Sequence, residues 1–440
     1  MNFLYIIILF LILPHCSFDN KSGIWKNENR VEKEENIFKE FKKLSVETEI
    51  FDKIIPINNN FKFQLSKSTK IKEWKDTYYN YSNNYINFNY EGLNKINFKS
   101  KKLSKSKINS YKLFEKNNMI LSDQKGNLII FSVNEKKIIN KFNFYKNKYK
   151  KISIKINFAV DNNIIYSSDN LGYLYAFDYK KNKILWAKNY KIPFRSNLKI
   201  IGSKLIAANQ NNNLFLFDKF TGDTIKLIPT EETIIKNQFI NNLSLSKENL
   251  FFLNTYGSLY SINLENLRIN WVINLNRSLD LNTNNLFFGN KIVHHKDKIV
   301  ISANEVTYVL DEQTGRVLLS ENFKSILKPI IIDNYLFLIT ENNLLISINL
   351  ADNKIIYSYD INKKISDFLN IKKRQVNFKS FSILNNKIFI FLKNSYLLIF
   401  DINGELEEVR KLPVKLNTYP IFVESKISFI SNKNKLIIIN

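Results

Sequence analysis

Adjacent histidines, a lone cysteine and a series of recurring carboxylates are the residues in this 440-residue chain best equipped for chemistry. His294 and His295 sit side by side, and neighbouring residues of a strand point to opposite faces. They therefore make a poor pair of metal ligands, and no His or Cys after Cys16 is available to complete a zinc set with them. The chain holds only 10 Gly and no Gly-rich phosphate loop. Asp178, Asp218, Asp311 and Asp401, with Asn263, recur at intervals that could suggest a metal ring. Each instead closes an apolar run and opens a turn, a position where a side-chain oxygen caps backbone N–H groups. Trp186 and Trp271 read as packing residues, since each large ring buries roughly 150–250 Å². The expectation is a chain without catalytic residues, metal or cofactor, and not an enzyme.

The spacing of those residues is itself the main signal. Aligned on Asp178, the apolar runs end at Ser132, Asp178, Asp218, Asn263, Asp311, Asn349, Asp401 and Asn440. The separations are 46, 40, 45, 48, 38, 52 and 39 residues, a period that belongs to repeat architectures. Within a unit, an apolar run such as 163–166 is followed by a polar turn and a second run such as 174–177. The runs are rich in Ile, Phe, Tyr and Leu without 3.6-residue periodicity, as suits strands buried on both faces. A fourth strand carries Trp186, Trp271, Leu319, Tyr357 or Val409 eight residues past the closing Asp or Asn. Another strand precedes each hairpin, as at 154–158, 198–201 and 330–332.

Four antiparallel strands per unit, eight units, and no alternation of the porin kind predict an all-β fold, an eight-bladed β-propeller. The last unit ends at Asn440 after its third strand, so a segment near residues 85–98 is expected to supply the missing outer strand and close the ring.

Residues 3–13 are wholly apolar, too short to span a bilayer, which takes about 20 residues, and suited to a signal-peptide core. Leu13-Pro14-His15-Cys16 follows, with Leu13 at the apolar position of a lipobox. His15 stands where such sites carry a small residue, and no Lys or Arg precedes the apolar run. The reading is a signal peptide over residues 1–15, lipidation at Cys16, a polar tether over residues 16–70, and the propeller over residues 71–440. A short helix through Ile37, Phe38, Phe41 and Leu44 is expected within the tether. A chain with one cysteine fits an oxidising compartment, since a core of this size needs no disulfide.

The formal charge is +25. The lysines are scattered through turns and strand edges, where they block edge pairing. The densest cluster, within residues 99–107, is expected beside the closing strand, facing lipid headgroups or an acidic partner. An exported protein would not meet nucleic acid, so none is expected as a partner.

The phrase Gly172-Tyr173-Leu174-Tyr175-Ala176-Phe177-Asp178, followed by Asn182-Lys183-Ile184-Leu185-Trp186, resembles the repeat of quinoprotein-like (PQQ-repeat) propellers. Gly257 to Asn263 with Trp271 is a second copy, and Asp311 to Leu318, including Gly315, matches the turn half. The resemblance covers roughly residues 70–440. Within that superfamily the chain is similar to the lipoprotein family of the outer-membrane β-barrel assembly machinery. That similarity implies a scaffold on the periplasmic face of the outer membrane, held by its lipid and a monomer within a complex. Its implied partner is the periplasmic repeats of the barrel-assembly core protein. The resemblance also leaves a rival, a PQQ-dependent dehydrogenase or a small-ligand binder using the central channel. Such dehydrogenases carry a vicinal cysteine pair and calcium-binding acids in long insertions, and this chain has one cysteine.

Overall fold

A computed structural model describes residues 16–18, 25–27 and 51–440, apart from 147, 150, 234–240, 277–286, 288 and 304. The expected signal peptide and the helix expected through Ile37 to Leu44 lie outside the described residues. At Cys16 the backbone alone is described, in a strand Cys16–Phe18 paired with Trp25–Asn27. A separate compact unit runs from Ile50 to Asn440.

That unit contains eight four-stranded antiparallel sheets arranged as propeller blades. Blade 1 is built from Ile108–Glu115, Asn118–Asp123, Asn127–Ser132 and Lys137–Asn143, from the axis outward. The inner strands of blades 2 to 8 begin at Ile156, Lys199, Asn242, Val293, Ile330, Phe378 and Ile421. Each middle strand is sandwiched between two neighbouring blades and has no solvated face. This is why Asn249–Leu253 is buried at every position and is apolar at every position after Asn249. The outermost strands are half-solvated and alternate, as Ile269–Asn274 does between intermediate and exposed positions. The eight recurring Ser, Asn and Asp residues end, or directly follow, the third strand of each blade.

Closure uses the strand Ile96–Lys102, which pairs antiparallel with Lys435–Ile439 and completes blade 8. The expected segment, residues 85–98, meets this strand only at 96–98; residues 85–91 lie nearer the axis. Lys99, Lys101 and Lys102 of the lysine cluster fall inside the closing strand, on an outer edge where charge opposes further pairing. The longest interval between repeats, Asn349 to Asp401, accommodates a helix, Ile361–Leu369, inserted between blades 6 and 7. Asp360 caps it by accepting from the Lys363 N–H at 3.1 Å, and Asn370 ends it in a left-handed conformation.

Residues 51–70, assigned to the tether by composition, lie along the outside of the propeller. Ile55 pairs with Ser358 through two backbone bonds of 2.9 and 3.0 Å, and Phe63 stands 4.9 Å from the Tyr335 ring. Ser66 donates its N–H to Asp333 at 2.7 Å. A chain starting at residue 51 should therefore melt as the full chain does. One starting at residue 103, lacking the closing strand, should lose its single cooperative transition in circular dichroism melting.

Candidate functional site

The recurring Asp and Asn side chains cap their turns. Asp178 accepts from the N–H groups of Lys180 and Lys181 at 3.0 and 2.9 Å, and Asp218 from those of Phe220 and Thr221 at 2.8 and 2.9 Å. Asn263 accepts from Glu265 and Asn266, Asp311 from the backbone and hydroxyl of Thr314, and Asp401 from Glu405. With their lone pairs committed to separate turns, these carboxylates do not converge. Among the described residues no three His, Cys, Asp or Glu side chains gather as a metal site.

The two tryptophans join neighbouring blades. Trp186 of blade 2 donates its Nε1–H to the Lys219 carbonyl of blade 3 at 3.0 Å. Trp271 of blade 4 does the same to Glu312 of blade 5 at 3.0 Å, and the Tyr357 hydroxyl of blade 6 donates to Ile402 at the start of the blade 7 turn at 3.2 Å. A glycine with positive φ packs at each joint: Gly222 against Trp186, Gly315 against Trp271, and Gly404 against Tyr359 first and Tyr357 next. A Cβ on Gly222 would stand 2.4 Å from the Trp186 ring. Gly172, at φ 88°, serves a different purpose, since a Cβ there would meet the backbone of Ile192 at 2.8 Å. Gly257 is pressed against Phe287 in the same way.

The adjacent histidines part company. The His294 Nε2 lies 2.8 Å from Glu312, while the His295 Nδ1 accepts from the Asn84 amide at 3.4 Å. Burial, aided by Lys296 and His294, holds the His295 imidazole below its usual range and therefore neutral at pH 7. Burial works against the Glu312 carboxylate, but Ser246, Asn249 and His294 hold it below its usual range.

The feature that the sequence reading missed is an axial spiral. Residues 71–91 make one circuit of the channel mouth, meeting the blades in ring order. The Ile71 carbonyl accepts from Glu424 of blade 8 at 2.9 Å, and Trp74 exchanges two bonds with Phe114 of blade 1 at 2.7 and 2.8 Å. The Lys75 carbonyl accepts from Val160 of blade 2 at 3.0 Å. The Tyr81 and Ser82 carbonyls accept from Leu245 of blade 4 and His294 of blade 5 at 2.9 and 3.0 Å. Asn83 bridges the same two blades, donating to Leu243 and Ile292, both at 2.8 Å. Asn84 makes a two-way bond with Ile331 of blade 6, and Phe88 one with Ile383 and Asn385 of blade 7. The Glu91 N–H returns to Ser425 of blade 8 at 3.0 Å.

Blade 3 is tied by charge. Lys199, fully buried, donates to Asp76 at 2.8 Å, to the Asn80 carbonyl at 3.0 Å and to the Asn83 side chain at 2.6 Å. Burial pushes the Asp76 carboxyl up and the Lys199 ammonium down, and each partner's field counters the other's shift. Beyond the spiral, at the starting ends of the inner strands, the channel retains a cavity of about 120 Å³ floored by Tyr78 and Tyr85. Among the described residues no Asp or Glu lines it, so those residues offer the calcium of a quinone enzyme no carboxylate ligand.

A family model described as "Outer membrane protein assembly factor BamB" matches residues 127–359. No curated protein matches the chain. Among solved structures, BamB from Moraxella catarrhalis superposes with a TM-score of 0.61 at 11% identity, covering 79% of this chain and 99% of that one. A europium-containing methanol dehydrogenase gives a TM-score of 0.59 at 10% identity, covering 83% and 89%. The quinohemoprotein alcohol dehydrogenase from Comamonas testosteroni gives 0.60 at 9%, covering 84% and 81%. At such identities the likeness is one of fold.

Replacing Gly222 by Ala strains a left-handed backbone and drives a methyl group into Trp186. The expected loss is roughly 2–4 kcal/mol, read from the urea midpoint. Asp76→Asn leaves Lys199 buried without its carboxylate and should cost about 3–5 kcal/mol. Combining it with Lys199→Met should restore most of that loss in the same measurement.

Proposed function

Because the chain belongs to the family of outer membrane protein assembly factor BamB, we propose that it is a periplasmic scaffold, lipid-anchored through Cys16, in the complex that assembles outer-membrane β-barrel proteins. In this reading it is not an enzyme. The axial spiral is the observation that carries the proposal. Eight blades hydrogen-bonded to one central segment form a platform whose surface features hold fixed relative positions, which is what a scaffold requires.

The partner in this reading is the set of periplasmic repeats of the barrel-assembly core protein, bound by strand addition to a blade edge. Among the described residues no further strand pairs with the outermost strands of blades 1 to 3, whereas Ile55 already occupies part of that edge on blade 6. On blades 1 to 3 those strands also expose Ile138, Ile139, Leu185, Ile225 and Leu227. Apolar side chains beside an unpaired edge are what an added strand would cover. The chain acts as a monomer within the complex, and its targeting signal is residues 1–15.

A mild-detergent pull-down of the tagged full chain from its native membrane should recover an outer-membrane assembly protein. Ile139→Glu with Leu227→Glu should lower that recovery at least tenfold while leaving the melting curve unchanged. Cys16→Ala should abolish metabolic labelling with palmitate. Recovery of a cytochrome, or dye reduction on adding quinone, calcium and an alcohol, would favour a dehydrogenase instead.

A further inference from the structure

The axial cavity has a composition that the scaffold reading does not use. Lys291, Lys328 and Lys379 reach into it from blades 5, 6 and 7, and among the described residues no carboxylate lines it. Their contacts among the described residues are neutral. The Lys328 ammonium donates to the Asn83 carbonyl at 2.6 Å and lies 3.4 Å from the centre of the Tyr85 ring. Lys379 donates to the Asn417 carbonyl at 2.9 Å and stands over Tyr419, and Lys291 stands over Tyr78. The nearby carboxylate, Asp76, is already committed to Lys199. Behind the wall, buried Lys112 donates to the Thr418 hydroxyl and the Tyr419 carbonyl, adding a further cation without an acid.

Cations placed in a poorly solvated space repel one another and lose hydration, at a cost that only a counter-charge or loss of protons offsets. The direction at Lys328 agrees. Burial, and then repulsion from Lys199, holds its ammonium well below the usual lysine range, although Asp76 pulls the other way. Neutral donors complete the wall. The rings of Tyr78 and Tyr419 flank Tyr111 at 5.3 and 5.0 Å, and burial keeps the Tyr111 phenol protonated. The buried Ser380 hydroxyl, on the same wall, has no hydrogen-bond partner among the described residues. A water takes roughly 10–15 Å³ of such space. The cavity's about 120 Å³ thus suits a ligand of small-metabolite size and excludes a peptide or nucleic acid strand.

We propose that this cavity is a binding site for a small oxyanion, carboxylate or phosphate, held by the ammonium groups of Lys291, Lys328 and Lys379 with hydroxyl donors from the tyrosines and Ser380. The anion supplies the counter-charge that the fold leaves out, and the chain's net charge of +25 favours its approach. The site is independent of the scaffold reading, and either can stand without the other.

Titration calorimetry on the full-length protein at constant ionic strength tests this, with inorganic phosphate and succinate as separate probes and chloride as the reference. One saturable site is expected for at least one probe. Binding of phosphate alone points to a phosphate ligand, and binding of succinate alone to a carboxylate. Lys291→Gln with Lys379→Gln should weaken binding at least tenfold with the melting curve retained. Should the pair impair folding, Lys291→Gln alone should still weaken binding at least threefold. The absence of saturable heat beyond chloride, or undiminished binding in a folded variant, would overturn the proposal.

Discussion

A ring of eight sheets has no core at its centre, and this protein supplies one from its own chain. Residues 71–91 spend their backbone and side-chain hydrogen bonds on the inner strands of successive blades, and the Lys199–Asp76 pair adds a buried ionic tie to blade 3. Each blade contributes edge groups near the axis that would otherwise need water, and buried backbone groups without partners are costly. The spiral satisfies them in ring order. It leads directly into the strand Ile96–Lys102, so the segment that fills the axis also closes the circumference.

The joints between blades follow a second rule. Trp186, Trp271 and Tyr357 bridge blades 2 to 3, 4 to 5 and 6 to 7, and a left-handed glycine of the next turn packs against the two tryptophans and, in the third joint, against Tyr359 and Tyr357. Within their own blades these aromatics stand opposite Ala176, Ser261 and Ser347. In blades 1, 3, 5 and 7 the equivalent third-strand residues are Ile130, Leu216, Val309 and Leu398, opposite Asn140, Lys226, Leu319 and Val409. A small residue on the third strand makes room for a large one on the fourth. Alternate interfaces therefore carry an aromatic hydrogen bond over a turn, while blades 1 and 2 are joined instead through polar contacts such as Asn140 to the Tyr179 carbonyl and Tyr179 to Glu115.

Both arrangements place the protein's chemistry in its joints and on its axis. The recurring carboxylates are consumed by turns, and His294 by a hydrogen bond with Glu312 that ties the first strand of blade 5 to the turn after its third. The lysines of the axial cavity are the exception, being gathered together without acids. With Lys199 paired to Asp76 close by, that cluster is the place where a ligand's charge would be felt most.

Much of this was legible in the sequence. Period, strand count, turn capping and the need for a closing strand all follow from local chemistry. An apolar run buried on both faces and an Asx or Ser residue at its end each leave a mark within a few residues, and that pattern repeats eight times, with a glycine in some of the turns. The small-for-large exchange behind the aromatic joints was also present, at fixed offsets from Asp178, Asn263 and Asn349. The axial spiral left no such mark, because Trp74, Asp76, Asn83 and Asn84 occur once and their hydrogen-bond partners lie up to 247 positions away in the chain. The same holds for Lys291, Lys328 and Lys379, which are ordinary lysines in a lysine-rich chain until closure of the ring points them at one axis. Sequence alone determined what each blade is, since strands and turns are set by neighbours along the chain. Only the tertiary structure decided what fills the centre and which charges meet there, since those contacts exist only after the ends of the ring have joined.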